Sequence, residues 1–541
     1  MSISRVAVVG AGIVGVALAR EITSRFPDAE VTVFDKAERV AAHQSGHTSG
    51  VVDPALAAQP GSPEAKLAHR GVELLVPFVS ERGIPYRECG QLLVAQNTDE
   101  ADRLEEILAR AEANSIPGVR LLDRKEMREI EPNARGVLAL YAPHTAVTDF
   151  TALTEALASD VSAAGGTFRF GTEVTGFDVM SNEVRLRMRT AAPEQSEPPV
   201  GTEGSDGDSA SGADRDIDSG SDGEIDDQVH EAPRTYRGDN TTGPVIDFRD
   251  ELRSRFGSQD WFNQVEDTIG SLSERFSNPA SGRSRHSGGG EPRHTGAGDP
   301  RRTGVDEYRE PAGRERDRTV SPEDTEVFDL VIVCAGLQAD RLAAAAGFDE
   351  GPRIVPFTSD YYAIDDRATD DSAEVVRGII GAVPDPSSPF SERSVVRGIN
   401  DGLVLGPNTI VSLGRERYDK HGFDLGDMGS TVGFKGFWKF AAQTAKTAAR
   451  GAKSAVSTSA FVEEIRKFVP AIDASAVRAD SRGIRAQAID AEGTLVDELR
   501  VTTRGRLTMV RSLPKSGATS ALATAERIAN QVFDGPADAD D

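Results

Sequence analysis

Three glycines near the start of the chain have the spacing that lets a polypeptide hold a dinucleotide. They lie in Gly10-Ala-Gly-Ile-Val-Gly15, and Asp35 follows about twenty residues later. Gly10 permits a tight turn, Gly12 lets the backbone approach a pyrophosphate, and Gly15 lets a helix pack closely on a strand. The free N–H groups at the start of that helix attract phosphate, and Asp35 can accept hydrogen bonds from ribose hydroxyls. The pattern predicts a dinucleotide site; the alternative is a chance glycine-rich turn.

The elements that must position these glycines are also present in the sequence. Residues 5–9 form an apolar run that is typical of a buried strand, and residues 16–22 have helical spacing. A second apolar run, Val31-Thr-Val-Phe34, ends at Asp35. Strand, helix and strand in this order predict a βαβ unit with a parallel sheet. A glycine triplet alone would be weak evidence, whereas a triplet inside a complete unit is strong evidence.

The composition excludes several classes of protein. The 541 residues carry a formal net charge of −26, and a nucleic-acid-binding protein needs a basic surface, so we expect no nucleic-acid partner. Only 10 of the 61 basic residues are lysines. Many acids with few lysines are typical of a surface adapted to concentrated salt, as in halophilic organisms, and the alternative is ordinary acidic drift.

The number of cysteines and the length of the apolar runs indicate in which cellular compartment the protein is expected. Cys89 and Cys334 are the only cysteines, so neither a disulfide framework nor a Cys-ligated metal site is expected, and no metal is expected at all. No apolar run reaches about eighteen residues, and the chain enters its first strand without a cleavable signal. We therefore expect a cytoplasmic protein, either free or bound peripherally to the inner face of the cell membrane.

The middle of the chain has a different composition from its flanks. Residues 191–325 are rich in Gly, Ser, Asp, Glu and Arg, contain no lysine and have few large apolar side chains. Such a segment cannot bury enough apolar area to offset its chain entropy, so we predict a disordered acidic insertion in a hairpin loop. Within it, residues 244–278 have roughly helical apolar spacing and would fold onto the body, bind a partner, or form a transient helix. Residues 536–541 are expected to be a disordered tail.

Further segments carry a family resemblance. They include Ala41-Ala-His-Gln-Ser-Gly-His-Thr-Ser-Gly-Val-Val52, Pro143-His-Thr-Ala-Val-Thr-Asp-Phe150 and Arg482-Gly-Ile-Arg-Ala-Gln-Ala488. Together with the glycine motif they resemble the L-2-hydroxyglutarate dehydrogenase/oxidase family, within the D-amino-acid-oxidase-like FAD superfamily. The resemblance covers nearly the whole chain except the insertion. Two segments differ from the family pattern, which has polar residues at the positions of residues 53–58 and near residues 394–396.

The resemblance implies an α/β (α+β) fold with two domains. A discontinuous Rossmann-like FAD-binding domain would comprise residues 1–55, 145–190, 326–350 and 480–535. A substrate domain with a mixed β-sheet would comprise residues 56–144 and 351–479.

The resemblance also implies non-covalent FAD and a set of cofactor-binding residues. The residues expected to hold the ADP half are Gly10, Gly12, Ile13, Val14, Gly15, Asp35 and Lys36. Those of the loop along the flavin, the flavin loop, are Gln44, Ser45 and Ser49, and those expected to contact adenine are Glu173 and Val174. Two further loops would lie against the ribityl chain and the flavin edge, with Ala335 and Gly336 in one and Gly517, Ala518 and Thr519 in the other.

Oxidation of a 2-hydroxy acid needs a base and an anion clamp. The Cα hydride moves to the flavin while a base removes the hydroxyl proton, and arginine binds carboxylates well. We expect His47 as the base, with Asp53 and His144 as alternatives. The clamp candidates are Arg485, Arg397 and Tyr361, with Lys515 standing beside the C-terminal flavin loop. The alternatives are structural: a hydrogen-bonded loop histidine at His47, an ion pair at Arg485 and a surface strand residue at Arg397.

A basic aromatic segment at residues 433–453 stands out because the chain has no acid between Asp427 and Glu463. It contains four lysines and four large aromatics: Lys435, Lys439, Lys446 and Lys453, with Phe434, Phe437, Trp438 and Phe440. Such a segment suits docking on an anionic membrane, where a quinone could collect electrons. The alternative is a helix whose aromatics face the core.

These observations favour FAD-dependent oxidation of a small 2-hydroxy acid, foremost L-2-hydroxyglutarate to 2-oxoglutarate, with a quinone or O₂ as electron acceptor. Two alternatives stay open. One is an amine oxidase on the same scaffold that acts on an amino or N-methyl acid, and the other is a flavin-binding subunit without its own catalysis.

Overall fold

Two large sheets organise the chain in this computed structural model. It describes residues 4–191, 324–348, 351–364, 375–385, 392–412, 414–416, 418 and 424–534, without the side chains of residues 446–456. Residues 192–323, which make up nearly all of the predicted insertion and include the helical segment 244–278, lie outside the described residues, and so does the tail 536–541.

The first sheet has six strands, and its centre is the predicted βαβ unit. Apolar β1 (Arg5–Val9) is buried and pairs in parallel with β2 (Glu30–Phe34) and with β13 (Leu330–Val333). The other strands are β9 (Thr167–Arg169), β20 (Arg500–Arg504) and β21 (Leu507–Ser512), in the order β20-β21-β13-β1-β2-β9. The strand β13, although far from β1 in the sequence, therefore lies directly beside it in this sheet.

Helices and a small sheet cover the two faces of this first sheet. One apolar core joins the sheet to four helices: α1 (Ile13–Arg25), α2 (Pro63–Glu81), α5 (Phe150–Ala163) and α10 (Ala521–Phe533). A second core joins it to a three-stranded antiparallel sheet of β10 (Thr172–Val179), β11 (Val184–Thr190) and β12 (Asp324–Phe328). Because β11 and β12 are paired neighbours, with Met188 opposite Asp324, residues 191–323 connect two strands of one antiparallel pair.

The second sheet has nine strands in the order β19-β18-β14-β17-β16-β15-β5-β7-β6. Its strands are β5 (Gln91–Ala95), β6 (Arg120–Leu122), β7 (Leu138–Ala142), β14 (Arg353–Ile364), β15 (Ile379–Ala382), β16 (Ser394–Arg397), β17 (Leu403–Val411), β18 (Val477–Ile489) and β19 (Leu495–Val496). β3 (Val51–Val52), β4 (Tyr86–Glu88) and β8 (Ala146–Thr148) form a separate small sheet. The remaining helices are α3 (Thr98–Ala113), α4 (Arg124–Ile130), α6 (Ala339–Ala345), α7 (Leu425–Val432), α8 (Lys435–Val456) and α9 (Thr458–Arg466).

The architecture confirms the predicted fold class, a mixed α/β protein with a parallel nucleotide-type sheet and a larger mixed sheet. All six strands of the first sheet fall in the segments predicted for the FAD-binding domain. The boundary predicted at residue 480 differs from the strand pairing, because β18 and β19 both belong to the nine-stranded sheet.

Candidate dinucleotide and substrate site

The glycine turn is built so tightly that side chains cannot enter it. Gly10 has φ +112°, and a Cβ added there would lie 2.3 Å from the carbonyl oxygen of Cys334 at the end of β13. A Cβ on Gly15 would lie 2.0 Å from the carbonyl oxygen of Gly10. Helix α1 and strand β13 therefore close on the turn from two sides, and the start of a helix of this kind attracts phosphate.

Asp35 fastens this turn from the next strand. Its Oδ2 accepts a hydrogen bond from the backbone N–H of Ala11 at 2.7 Å, and its Oδ1 accepts one from the N–H of Ala37 at 2.9 Å. Since each carboxylate oxygen accepts two hydrogen bonds, Asp35 keeps acceptor capacity for a ribose hydroxyl.

The predicted flavin loop is tied to both large sheets. The Ser45 Oγ accepts a hydrogen bond from the N–H of Ile13 at 2.9 Å, at the start of α1. The Gln44 Oε1 accepts one from the N–H of Ala486 on β18 at 2.8 Å. These two side chains therefore set the position of the loop between the nucleotide sheet and the nine-stranded sheet.

A single cavity of about 1260 Å³ runs along this surface. Small-molecule pockets usually measure about 300–1000 Å³, so this cavity has room for a dinucleotide together with a second small molecule. The cavity is lined by every residue predicted to bind FAD except Thr519, namely Gly10, Gly12, Ile13, Val14, Gly15, Asp35, Lys36, Gln44, Ser45, Ser49, Glu173, Val174, Ala335, Gly336, Gly517 and Ala518.

At the end of the cavity where adenosine is expected, which we call the adenosine end, charged side chains are held in pairs. Lys36 and Gln338 both donate to the Glu416 carboxylate, and Arg189 pairs with Glu173 at 2.7 Å. Burial alone would raise the pKa of Glu416, but the Lys36 ammonium and the hydrogen bonds to the carboxylate lower it. Glu416 and Gln338 have no motif that would have revealed them in the sequence.

The other end of the cavity contains a tyrosine, two cations and several acids. Tyr361, Arg485 and Lys515 line it together with the acids Asp53, Glu64, Glu392 and Asp497, and these groups interact electrostatically with one another. Burial raises the pKa of Tyr361 to about 12, so its hydroxyl stays protonated at neutral pH and can donate to an anion. This end has the donors that binding a small carboxylic acid requires.

Asp53 lies where this cluster meets the C-terminal loop. Its N–H donates to the Thr519 Oγ1 at 3.0 Å, and its Oδ1 accepts from the Ala55 N–H at 2.8 Å. Burial raises its pKa, the charge of Glu392 adds to that effect, and the Ala55 hydrogen bond and Lys515 oppose it. Thr519 itself does not line the cavity; it is buried and anchors Asp53.

The predicted base His47 lines the cavity but has contacts that favour a structural role. Its ring stacks on Tyr418 with centroids 4.3 Å apart, and it makes backbone hydrogen bonds with Ala42 and Arg482. Burial lowers its pKa despite those bonds. His144, the other candidate histidine, is exposed, contacts Glu88 at 3.1 Å and does not line the cavity.

The structure corrects the prediction of Arg397 as a carboxylate clamp. Arg397 does not line the cavity; its Nε donates to the Val376 carbonyl at 2.7 Å and its Nη1 to the Asp401 carbonyl at 2.9 Å. Its side chain therefore ties together backbone segments of the nine-stranded sheet. Arg393, just before the same strand, is among the lining residues, but the charge that acts on it is that of Glu464, which does not line the cavity.

A metal centre has no counterpart in this site. Among the described residues, no group of three His, Cys, Asp or Glu side chains could hold a metal ion. Both cysteines are free, and burial raises the pKa of the Cys334 thiol to about 12, so this cysteine beside the glycine turn is not a reactive thiolate.

The glycine turn, the acid after β2 and the cavity beside them define the class: a dinucleotide-binding protein of the α/β type. The comparisons then give the family. A family model described as "FAD dependent oxidoreductase" (DAO) matches residues 5–197 and 298–531. The chain belongs to this family of FAD-dependent oxidoreductases, so it is an enzyme with FAD as its cofactor.

The resemblance to L-2-hydroxyglutarate dehydrogenases is also confirmed. The mitochondrial L-2-hydroxyglutarate dehydrogenases of Nematostella vectensis and Homo sapiens are both 26% identical, with 97% of this chain aligned to 90% and 88% of theirs. The L-2-hydroxyglutarate dehydrogenase of Escherichia coli strain K12 is 22% identical, over 97% of this chain and 92% of its own length.

Solved structures share the fold. The FAD-bound L-alpha-glycerophosphate oxidase from Mycoplasma pneumoniae matches with a TM-score of 0.58 at 15% identity, over 98% of this chain and 95% of the other. Glycine oxidase from Geobacillus kaustophilus matches with a TM-score of 0.56 at 14% identity, over 99% and 96%.

Proposed function

We propose that this enzyme oxidises L-2-hydroxyglutarate to 2-oxoglutarate. The observation that carries the proposal is the cluster of Tyr361, Arg485 and Lys515 at one end of a cavity whose other end is the glycine turn. A 2-hydroxy acid needs such donors for its carboxylate, and the relatives' names supply the particular acid.

We assign each residue of the cluster a role. Arg485 and Tyr361 bind the carboxylate next to the reacting carbon, and Asp53 takes the hydroxyl proton. The chemistry that FAD would supply when bound is hydride acceptance. The base is assigned to Asp53 rather than His47 because Asp53 lines the cavity beside the C-terminal loop, while the His47 ring is stacked and hydrogen-bonded.

The cofactor residues are proposed from their positions. The glycine turn and Asp35 would hold the ADP half, the Gln44–Ser49 loop would run along the flavin, and Gly517 and Ala518 would contact the flavin edge. FAD is expected to be non-covalent, since burial raises the pKa of both cysteine thiols and so disfavours a thiolate that could attack a flavin.

Anaerobic flavin reduction tests the proposed activity. We expect L-2-hydroxyglutarate to bleach the oxidised flavin band of the purified holoenzyme and to yield 2-oxoglutarate. Bleaching by amino or N-methyl acids but not by hydroxy acids would contradict the proposal and establish an amine oxidase. A flavin that dithionite reduces but none of these substrates bleaches would indicate a subunit without catalysis. Comparing O₂ with a soluble quinone in the reoxidation step then identifies the acceptor.

We further propose that α7 and the start of α8 contact an anionic membrane surface. The described part of the chain has three exposed large hydrophobic residues, and all three lie here: Leu425 is 68% exposed, Val432 46% and Trp438 39%. Lys435 and Lys439 are exposed beside them. Apolar side chains flanked by lysines are typical of interfacial helices.

The aromatic residues of this segment divide between two faces. Phe440 is buried and packs edge-to-face on Phe357 at 6.2 Å, and Phe434 and Phe437 are partly buried against the same cluster. The three phenylalanines thus support the alternative of a helix whose aromatics face the core, while the exposed Trp438 of the same segment supports the proposed membrane contact. Among the described residues, no helix has the length and apolar character needed to cross a bilayer.

Charge reversal on this surface should weaken vesicle binding. We expect Lys435→Glu/Lys439→Glu to reduce sedimentation with phosphatidylglycerol-containing vesicles by about tenfold or more, since each juxtamembrane lysine contributes about 1 kcal/mol. The matched control is Lys66→Glu/Lys125→Glu, which makes the same charge change at other exposed positions. Equal binding by both double variants, or no binding by the unmodified enzyme, would contradict membrane contact through this segment.

A further inference from the structure

Lys515 is a second cation near Arg485. Both line the end of the cavity that also contains Tyr361, which we call the substrate end. We propose that Lys515 determines specificity by binding the second carboxylate of a dicarboxylic 2-hydroxy acid, and that Asp497 positions it for this task. The proposal rests on the proposed function and deepens it, because it makes the distal carboxylate a recognised group.

Asp497 lies between the two cations without pairing closely with either. Its Oδ2 is 3.8 Å from the Lys515 Nζ, and its Oδ1 is 4.0 Å from an Arg485 Nη2. Hydrogen bonds between such groups measure about 2.7–3.2 Å, so these contacts are electrostatic attractions at longer range. Both cations therefore keep N–H donors that can turn to a bound anion.

Asp497 is itself fixed from behind. The buried Gln487 donates from its Nε2 to the Asp497 Oδ1 at 2.9 Å. Gln487 belongs to β18, two residues after Arg485, and Asp497 directly follows β19, which pairs with β18. One carboxylate held by the sheet thus sets the positions of a guanidinium from β18 and an ammonium from the C-terminal loop.

The position of Lys515 relates it to the substrate end rather than to the adenosine end. Lys515 comes two residues before Gly517, which lines the cavity at the C-terminal loop. Its electrostatic neighbours include Asp53 and Glu64, the acids of the same end. A monocarboxylic 2-hydroxy acid would need only the Arg485 and Tyr361 donors, whereas a dicarboxylic one needs a second cation at a distance from them.

Lys515 has an alternative role as a counter-charge for Asp53, Glu64 and Asp497. That role would affect every substrate to the same extent. Specific recognition of a second carboxylate would instead affect dicarboxylates alone. A comparison of two substrates that differ only in the terminal group therefore separates the two roles.

The experiment uses FAD-loaded enzyme with L-2-hydroxyglutarate and L-2-hydroxypentanoate, in which a methyl group replaces the distal carboxylate. Anaerobic stopped-flow bleaching gives an apparent Kd and a limiting rate for each. We expect Lys515→Met to raise the Kd for L-2-hydroxyglutarate by roughly 10- to 100-fold, as for loss of a charge-assisted hydrogen bond, and the Kd for L-2-hydroxypentanoate less than threefold. Lys515→Arg should retain most of the discrimination, and the exposed Lys125→Met serves as control.

Asp497→Asn tests the positioning role. Asparagine still accepts the Gln487 hydrogen bond but no longer attracts the two cations, so we expect the Kd for L-2-hydroxyglutarate to rise about three- to tenfold with little change in the limiting rate. Asp497→Glu should recover part of the loss. A change that is equal for both substrates, in either the Lys515→Met or the Asp497→Asn enzyme, would overturn the inference.

Failure of the proposed function gives a different signature. If neither hydroxy acid bleaches the unmodified holoenzyme, the proposed activity is wrong, and binding of glutarate, an unreactive dicarboxylate, is then measured by perturbation of the flavin spectrum. Tenfold weaker glutarate binding in Lys515→Met than in Lys125→Met supports the dicarboxylate site. Equal glutarate binding by the two variants overturns it.

Discussion

The Asp53→Asn enzyme is expected to reduce its flavin with L-2-hydroxyglutarate about 10²- to 10⁴-fold more slowly than the unmodified enzyme. A positioned base that takes a proton in the transition state contributes a factor of this size. Asparagine preserves the backbone bond to Thr519 and can accept the Ala55 N–H, so the loop geometry should persist. The measurement is the limiting rate of anaerobic bleaching, with FAD content and substrate Kd as checks on the site.

The limiting rate of flavin reduction should also depend on pH, in a direction set by the pKa of Asp53. Burial is the main cause that raises the pKa of Asp53, and an aspartate acts as a base only when ionised. The rate should therefore rise with pH through a value above the ordinary aspartate pKa of about 4. In the Asp53→Asn enzyme this acidic limb should disappear, because the group that titrates is gone.

Replacing His47 tests the competing assignment, in which His47 is the base. We expect His47→Asn to lower the limiting rate by less than tenfold, since the ring stacks on Tyr418 and bonds to the backbone. Glu64→Gln removes a nearby carboxyl whose pKa burial also raises, and it controls for a loss of charge alone. A rate loss of 10² or more in His47→Asn, with a nearly normal Asp53→Asn enzyme, would return the role of base to His47.

The nucleotide half of the site was predictable because its determinants are local. Gly10, Gly15 and Asp35 act within one βαβ unit, and the apolar runs around them specify strand and helix by periodicity alone. The steric reason for the glycines is partly long-range, since the Gly10 Cβ would meet the Cys334 carbonyl more than 300 residues away. That neighbour could not be read from the motif, although the requirement for glycine could.

The substrate end was less predictable because side-chain direction depends on distant partners. Arg397 lies at the end of β16, and no local pattern tells that its side chain does not line the cavity. The Arg397 guanidinium is directed to the carbonyls of Val376 and Asp401, contacts that exist only once the nine-stranded sheet has assembled. Asp497 was not predicted for the same reason, because its role depends on its contacts with Arg485 of β18 and Lys515 of the C-terminal loop.

The largest expected loss of stability concerns Arg415, a side chain that the sequence did not single out. It is 2% exposed, and its guanidinium makes a bidentate pair with the buried Asp340. The same guanidinium donates to the carbonyls of Leu337 at 2.6 Å and Ile354 at 3.0 Å. One arginine thus satisfies a buried carboxylate and two buried carbonyls.

Replacing this arginine by methionine should lower the free energy of unfolding by about 3–5 kcal/mol, measured by urea denaturation of the holoenzyme. Methionine fills much of the volume but leaves the Asp340 charge buried without its partner. Arg415→Lys should lose less, because an ammonium keeps the charge but not the bidentate geometry. The matched control is Arg466→Met, which breaks an exposed pair with Glu463 and should cost at most about 1 kcal/mol.

The double variant Arg415→Met/Asp340→Leu separates the effect of an unpaired charge from the loss of packing. Removing both partners eliminates the buried unpaired carboxylate, so we expect it to be more stable than Arg415→Met alone, with a coupling energy of about 1–3 kcal/mol in the double-mutant cycle. Additive losses would mean that the pair contributes no specific coupling.

The Arg415 network should also affect FAD binding. Since Leu337 directly follows Ala335 and Gly336, whose loop lines the cavity, Arg415→Met should release FAD faster than Arg466→Met. Unchanged FAD release in a destabilised Arg415→Met enzyme would confine the role of this network to folding.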